Sequence, residues 1–174
     1  MTLRRLLAAT AVLVGSGAVA GQGVDANSSV ATVPITAPAQ VGVAPALRLW
    51  TPCVDGINAA RAGAGAAPLT IDTRLAKAAS EHSADQARQQ RLSHVGPDGT
   101  NAGSRLATVG YRWTTWGENV AAGQADCDTV VAAWLASSAH RANILNSAFQ
   151  HVGVGLVLGE NGVPYWTMDL AAGG

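Results

Sequence analysis

The chain is poor in charge. Only 13% of its 174 residues are Asp, Glu, Lys or Arg, about half the usual share of a soluble domain. The 11 basic and 11 acidic side chains cancel at pH 7, so no field of one sign is there to hold a phosphate backbone, which excludes nucleic acid as a partner. Local metal-binding spacings are missing too. The histidines, His82, His94, His140 and His151, form no H-x-x-x-H or H-E-x-x-H pair, and the two cysteines form no C-x-x-C. A metal site would therefore have to be assembled by the fold. No serine or cysteine sits in a recognisable nucleophile elbow, which leaves covalent catalysis without support. The apolar run from Leu6 to Val14 is shorter than the roughly 20 residues that span a bilayer.

What is present is a largely apolar chain, 48% hydrophobic, of a length that suits one core. Residues 1–20 start with the basic pair Arg4 and Arg5, continue through the apolar run and end in Ala18-Val19-Ala20. This is the three-part pattern of a secretory signal peptide with cleavage after Ala20, and no transmembrane anchor is expected in the mature form. Residues 21–50 are rich in Gly, Ser, Thr and Pro without sustained periodicity and read as a flexible linker. The folded domain is placed at residues 51–172.

Within it, Thr51-Pro52 offers a helix start, with Val54 and Ile57 on one face and an end near Gly63. Asp72 is placed to cap a second helix running to about Arg91, along which Leu75, Ala76, Ala79, Ser83 and Ala87 form a stripe of small residues. A short helix is expected over Gly103 to Val109, and another after Asp126 that carries Val130, Val131 and Trp134 inward to about Ser137. Trp113 to Ala121 reads as a short strand or a turn leading into one. Residues 152–158 form a central strand, and Asn161-Gly162 suggests a two-residue hairpin turn to an antiparallel strand over Val163–Leu170. Helices first and strands later indicate an α+β fold, with helices packed on a small, mainly antiparallel sheet.

The candidate chemistry lies at element ends. His94 follows the second helix, Glu118 stands in Gly117-Glu118-Asn119, and His140 follows the helix that ends near Ser137. His82, mid-helix, is expected to be packed or on the surface, and His151 to be a solvated loop residue. Trp134 reads as core at helical spacing with Val130 and Val131, while Trp113 or Trp116 could line a groove.

These residues and their neighbours resemble the cysteine-rich secretory, antigen five and pathogenesis-related superfamily, or SCP domain, in its bacterial branch. The matching pieces occur in the family's order: Asn58 with Arg61, Pro68-Leu69 with Asp72 and Leu75, Ser93-His94, Gly110-Tyr111, Gly117-Glu118-Asn119-Val120-Ala121, then Trp134, Ser137, His140, Arg141 and Asn143-Ile144-Leu145, then Val152-Gly153-Val154-Gly155 and Tyr165-Trp166-Thr167. The resemblance implies an α-β-α sandwich with a large cleft and a cavity holding His94, Glu118 and His140. Ser137 stands where many eukaryotic members place a second glutamate, and Met168 where the family often has glutamine.

Two neutral imidazoles, His94 and His140, could act as partial zinc ligands, with Glu118 as a base through water or as their partner. The alternative is that Glu118 fixes the cleft without reacting, and structural or binding use is favoured over catalysis. No cofactor is required; zinc is the one this pattern admits. Cys53 and Cys127 suit an oxidising compartment. Paired, they would tie the start of the first helix to the start of the one after Asp126, worth about 4 kcal/mol; two free thiols are the alternative. The leading expectation is a secreted or cell-envelope protein, monomeric, that binds an apolar small molecule such as a lipid or sterol-like compound, or a cell-envelope component. A metal-assisted hydrolase or protease using His94, His140 and Glu118 is the second reading, and an extracellular interaction module the third.

Overall fold

The structure, a computed structural model, describes residues 43–174, with side chains from Trp50 onward. The expected signal peptide and residues 21–42 of the expected linker lie outside the described residues. Five helices and four strands follow in the order α1 (Val43–Gly63), β1 (Thr70–Ile71), α2 (Thr73–Gln89), α3 (Ala102–Thr108), β2 (Trp113–Ala122), α4 (Cys127–Ala136), α5 (Ser138–Leu145), β3 (His151–Leu158) and β4 (Pro164–Gly173). The strands form one mixed sheet in the order β1-β3-β4-β2, antiparallel except for the short β1–β3 pair. The fold is α+β, as the sequence suggests.

The expected caps are in place. The Asp72 side chain accepts from the amide of Arg74 at the start of α2, and Asp126 closes a capping box with Thr129 at the start of α4. The helix start expected at Thr51 is corrected. α1 begins at Val43, so residues 43–50 of the expected linker are helical, and Pro52 lies inside the helix. A proline removes one helical hydrogen bond, but packing can override that loss. Trp50 meets Trp166 edge to face with ring centroids 6.3 Å apart, and Cys53 is bridged to Cys127. The hairpin turn is also corrected. The Gly159 amide donates to Val163 O and the Gly162 amide to Gly159 O, and Gly162 takes φ +74°. Gly162 thus closes a three-residue loop rather than forming half of a two-residue turn.

Helices cover both faces of the sheet. On one face α1, α4 and α5 enclose an apolar core with Ile57, Val130, Trp134, Ile144, Val152, Trp166, Met168 and Leu170. On the other, Leu75 and Ala78 of α2 and Leu106 of α3 pack on Tyr111 and Ala171. Helix α2 lies so close to β3 that a Cβ added at Gly153 would stand 2.1 Å from the Ala76 backbone nitrogen, and one at Gly155 2.4 Å from that of Ser80. This explains the alternating glycines of Val152-Gly153-Val154-Gly155.

Two polar clamps hold the loops around this frame. Asn58 pairs reciprocally with Leu69, its amide donating to Leu69 O and its carbonyl accepting from Leu69 N. Arg61, fully buried, donates to the carbonyls of Ala67, Ile144, Asn146 and Phe149, tying the end of α1 to α5 and to the entry of β3. Burial holds its guanidinium pKa below the usual value.

Candidate functional site

Strand β2 is an edge of the sheet, and the candidate site gathers along it. Alternation along β2 puts Glu118 on the α2/α3 face, while Gly117 and Asn119 face α5. A Cβ at Gly117 would stand 2.9 Å from the Phe149 ring, and Asn119 Nδ2 donates to His140 O at 3.0 Å. Helix α5 covers the strand edge through Asn143, whose Nδ2 donates to Glu118 O at 3.2 Å and to Asn119 Oδ1 at 2.8 Å.

Glu118 is buried, and both its oxygens are engaged. Oε1 accepts from His94 Nδ1 at 2.8 Å, and Oε2 accepts from Arg105 Nη2 of α3. His94 comes from the loop after α2, which starts at Gln90 with a left-handed φ of 48°. That loop is held by its neighbours: His82 Nε2 donates to Ser93 O at 2.7 Å, the Ser93 amide donates to Gln86 Oε1 at 3.2 Å, and Arg105 Nη1 donates to the carbonyls of His94 and Thr100. The hydrogen bond to Glu118 raises the His94 pKa against an opposing desolvation effect. Its ring remains 58% exposed, with Nε2 as the open nitrogen.

His82 is buried, not on the surface, and its Nε2 lies 3.8 Å from Glu118 Oε2. Desolvation lowers its pKa in spite of Glu118. His140, half-buried in the first turn of α5 rather than just past a helix, is also lowered, first by burial and then by the charge of His94. Ser137 is the residue between α4 and α5, and its side chain makes no capping bond. His151 is corrected from loop to strand: it opens β3, and its Nδ1 is hydrogen-bonded to the Tyr111 hydroxyl at 2.6 Å.

Sequence reasoning missed three members of this cluster. Arg105 carried no local signal, because only the fold brings α3 onto Glu118. His82 was read from its helix position alone. Asp169 pairs directly with Glu118 across β2 and β4 and is fully buried, and neither of its carboxyl oxygens has a hydrogen-bond partner. Its pKa is pushed well above the usual carboxylate range, mainly by desolvation and then by Glu118, with Arg105 opposing.

A cavity of about 350 Å³ opens beside this cluster, walled by His94, Val95, Asn101, Trp116, Glu118 and Asn143. A larger groove of about 660 Å³ lies between α2 and the turn before α3, with Glu81, Asp85, Arg88 and Asp98 along it and Arg105 shared with this cluster. His94 and His140 would offer a zinc ion two imidazoles, where zinc centres use three or four protein ligands. Among the described residues, no group of three or more His, Cys, Asp or Glu is arranged to hold a metal. Cys53 and Cys127 form a disulfide with Cα atoms 4.7 Å apart.

The same arrangement of elements recurs in known proteins. Over 116 residues the chain is 40% identical to the uncharacterized protein YkwD of Bacillus subtilis, a match covering 67% of this chain and 44% of that protein. The uncharacterized membrane protein YlbC of the same organism is 34% identical over 59% of this chain and 30% of its own length. The crystal structure of an extracellular protein containing a SCP domain from Bacillus anthracis superposes with a TM-score of 0.63 at 29% identity, over 68% of this chain and 38% of that one. This chain thus spans less than half the length of each of these relatives. The sequence pattern of the cysteine-rich secretory protein (CAP) family matches residues 54–170, and the chain belongs to that family, as a bacterial SCP-like domain.

Proposed function

We propose that the protein is exported and holds a small cell-envelope molecule in the cleft at the β2 edge, as a monomeric binding protein rather than an enzyme. The observation that carries this reading is the engagement of Glu118. One of its oxygens receives His94 and the other Arg105, so Glu118 is placed to fix the walls of the cleft. That leaves an open cavity edged by the free side of the His94 ring, the amides of Asn101 and Asn143, and the Trp116 indole. Its polar groups suit an envelope component with hydroxyl or amide groups better than a purely apolar lipid, because burying unpaired polar groups is costly. Export rests on the signal pattern of residues 1–20, on the disulfide, and on the likeness to an extracellular SCP-domain protein. In this reading residues 1–20 are removed, the following stretch tethers the domain, and zinc is at most a weak guest of His94 and His140.

Native mass spectrometry of the exported protein mixed with bacterial envelope extracts tests the proposal. The expected result is a discrete adduct that weakens in His94→Ala. No adduct from any extract, or one that His94→Ala leaves unchanged, contradicts it. A zinc titration in parallel is expected to show no uptake tighter than micromolar.

A further inference from the structure

Strand β2 begins with an irregularity. Trp113 pairs with Gly173 and Thr115 with Ala172, so Thr114 is an extra residue in the ladder. Simple alternation would put residues three apart on opposite sides of the strand, but an inserted residue re-aims the side chains that flank it. As a result Trp113 and Trp116 meet, with ring centroids 6.3 Å apart and planes at 78°. Both indoles are seated on the first turn of α3. Trp113 Nε1 donates to Gly103 O at 2.8 Å, and Trp116 lies so close over Gly103 that a Cβ there would stand 2.4 Å from its Nε1. Gly103 is therefore needed for the seating of this pair.

The two rings are fixed, yet Trp113 is 41% exposed. Fixed aromatic surface left in water is a feature of recognition sites. It lies next to the cleft, because Trp116 is itself a wall of the 350 Å³ cavity. The polar groups of the other walls still have bonding capacity. Asn101 uses its Oδ1 to cap α3 through the Ser104 amide, which leaves its NH2 group to donate, and His94 presents Nε2. Flat indole surface beside spaced donors and acceptors matches a pyranose ring, with its apolar C–H faces and its rim of hydroxyls. A lipid tail would leave the Asn101 amide NH2 and the His94 imidazole unsatisfied. The cavity volume falls in the range of small-ligand sites and suits one or two sugar rings.

We propose that the Trp113–Trp116 pair and the adjoining cavity form a subsite for a neutral pyranose unit of a cell-envelope glycan. This rests on the cleft-binding reading above and gives it a ligand class. The test is ¹H–¹⁵N spectroscopy of the exported protein titrated separately with chitotriose, cellotriose, maltotriose and mannotriose. At least one trisaccharide is expected to shift both the Trp113 and Trp116 indole N–H signals, with a dissociation constant of about 1 mM or tighter. Trp113→Ala is expected to weaken that binding about tenfold or more, whereas Trp113→Phe, which keeps a ring, stays within about threefold of the parent. Melting curves of both variants, with the disulfide intact, show whether the fold is kept. No indole shift with any of the four sugars, or equal binding by Trp113→Ala and the parent, overturns the proposal. So does an equal loss in both variants, which would mark a folding effect. If envelope lipids shift the His94 ring signals while the sugars do nothing, the glycan subsite fails and the cleft reading stands. If neither class perturbs His94 or the indoles, both fail.

Discussion

Glu118 and Asp169 face each other as cross-strand neighbours on β2 and β4, both buried, yet only Glu118 has partners. Arg105 and His94 bind its two oxygens, while both Asp169 oxygens are unpaired. Two adjacent carboxylates in a dry setting do not both ionise readily. The guanidinium and the imidazole lie with Glu118, and it is the Asp169 carboxyl whose pKa is pushed up, first by burial and then by Glu118.

This has a sign in the pH dependence of stability. The folded-state pKa of Asp169 lies above its unfolded value. Its contribution is therefore complete below the unfolded pKa, near 4, and is lost as pH rises through the folded value. Asp169→Asn removes the ionisation. Urea unfolding of the variant is expected to show a flatter pH profile, with a gain over the parent of about 1–3 kcal/mol at the alkaline end and little or none near pH 4. Parallel profiles would contradict this.

Arg105 brings a guanidinium onto Glu118 in this buried cluster, and its side chain is 9% exposed. Removing one partner of a buried pair leaves the other uncompensated. Arg105→Ala is expected to lose about 3–5 kcal/mol in urea unfolding and to loosen the loop that carries His94, because Arg105 also holds the His94 and Thr100 carbonyls. Hydrogen exchange at residues 94–100 checks the second effect.

The Cys53–Cys127 bridge closes a loop of sequence separation 74, joining α1 to the start of α4. Reduction, or the double change of Cys53 and Cys127 to Ala, is expected to lower stability by about 4 kcal/mol. A change below about 1 kcal/mol would mean that the unfolded chain is already restricted without the bridge.

Helix α2 packs on β3 without room for side chains at two positions. Gly155→Ala would set its methyl against the Ala79–Ser80 backbone, so the helix would have to shift. A loss of about 2–4 kcal/mol is expected, read from thermal melting, and a neutral effect would contradict the close approach.

Much of the fold was legible because it rests on local chemistry. Asp72 and Asp126 announce their helices as caps, and the apolar spacing of Val130, Val131 and Trp134 marks the buried face of α4. Strand β1 was not legible, being two residues long and defined only by pairing with β3. Nor was α5, which follows α4 after a single break at Ser137. Within the site, His94, Glu118 and His140 were named from their motifs. Arg105, His82 and Asp169 were not, because their meeting with Glu118 is set by strand register and by the docking of α2 and α3, which no local spacing records.

The central claim is that Glu118 holds His94 and Arg105 in place at the cleft. Its most direct test is the pKa of the His94 imidazole, read by NMR in the parent and in Glu118→Gln. The Glu118 hydrogen bond is the main cause that raises it. The parent value is therefore expected above the ordinary histidine value of about 6.5, and the Glu118→Gln value at or below it with the core signals unchanged. An identical His94 pKa in the two proteins would contradict the account.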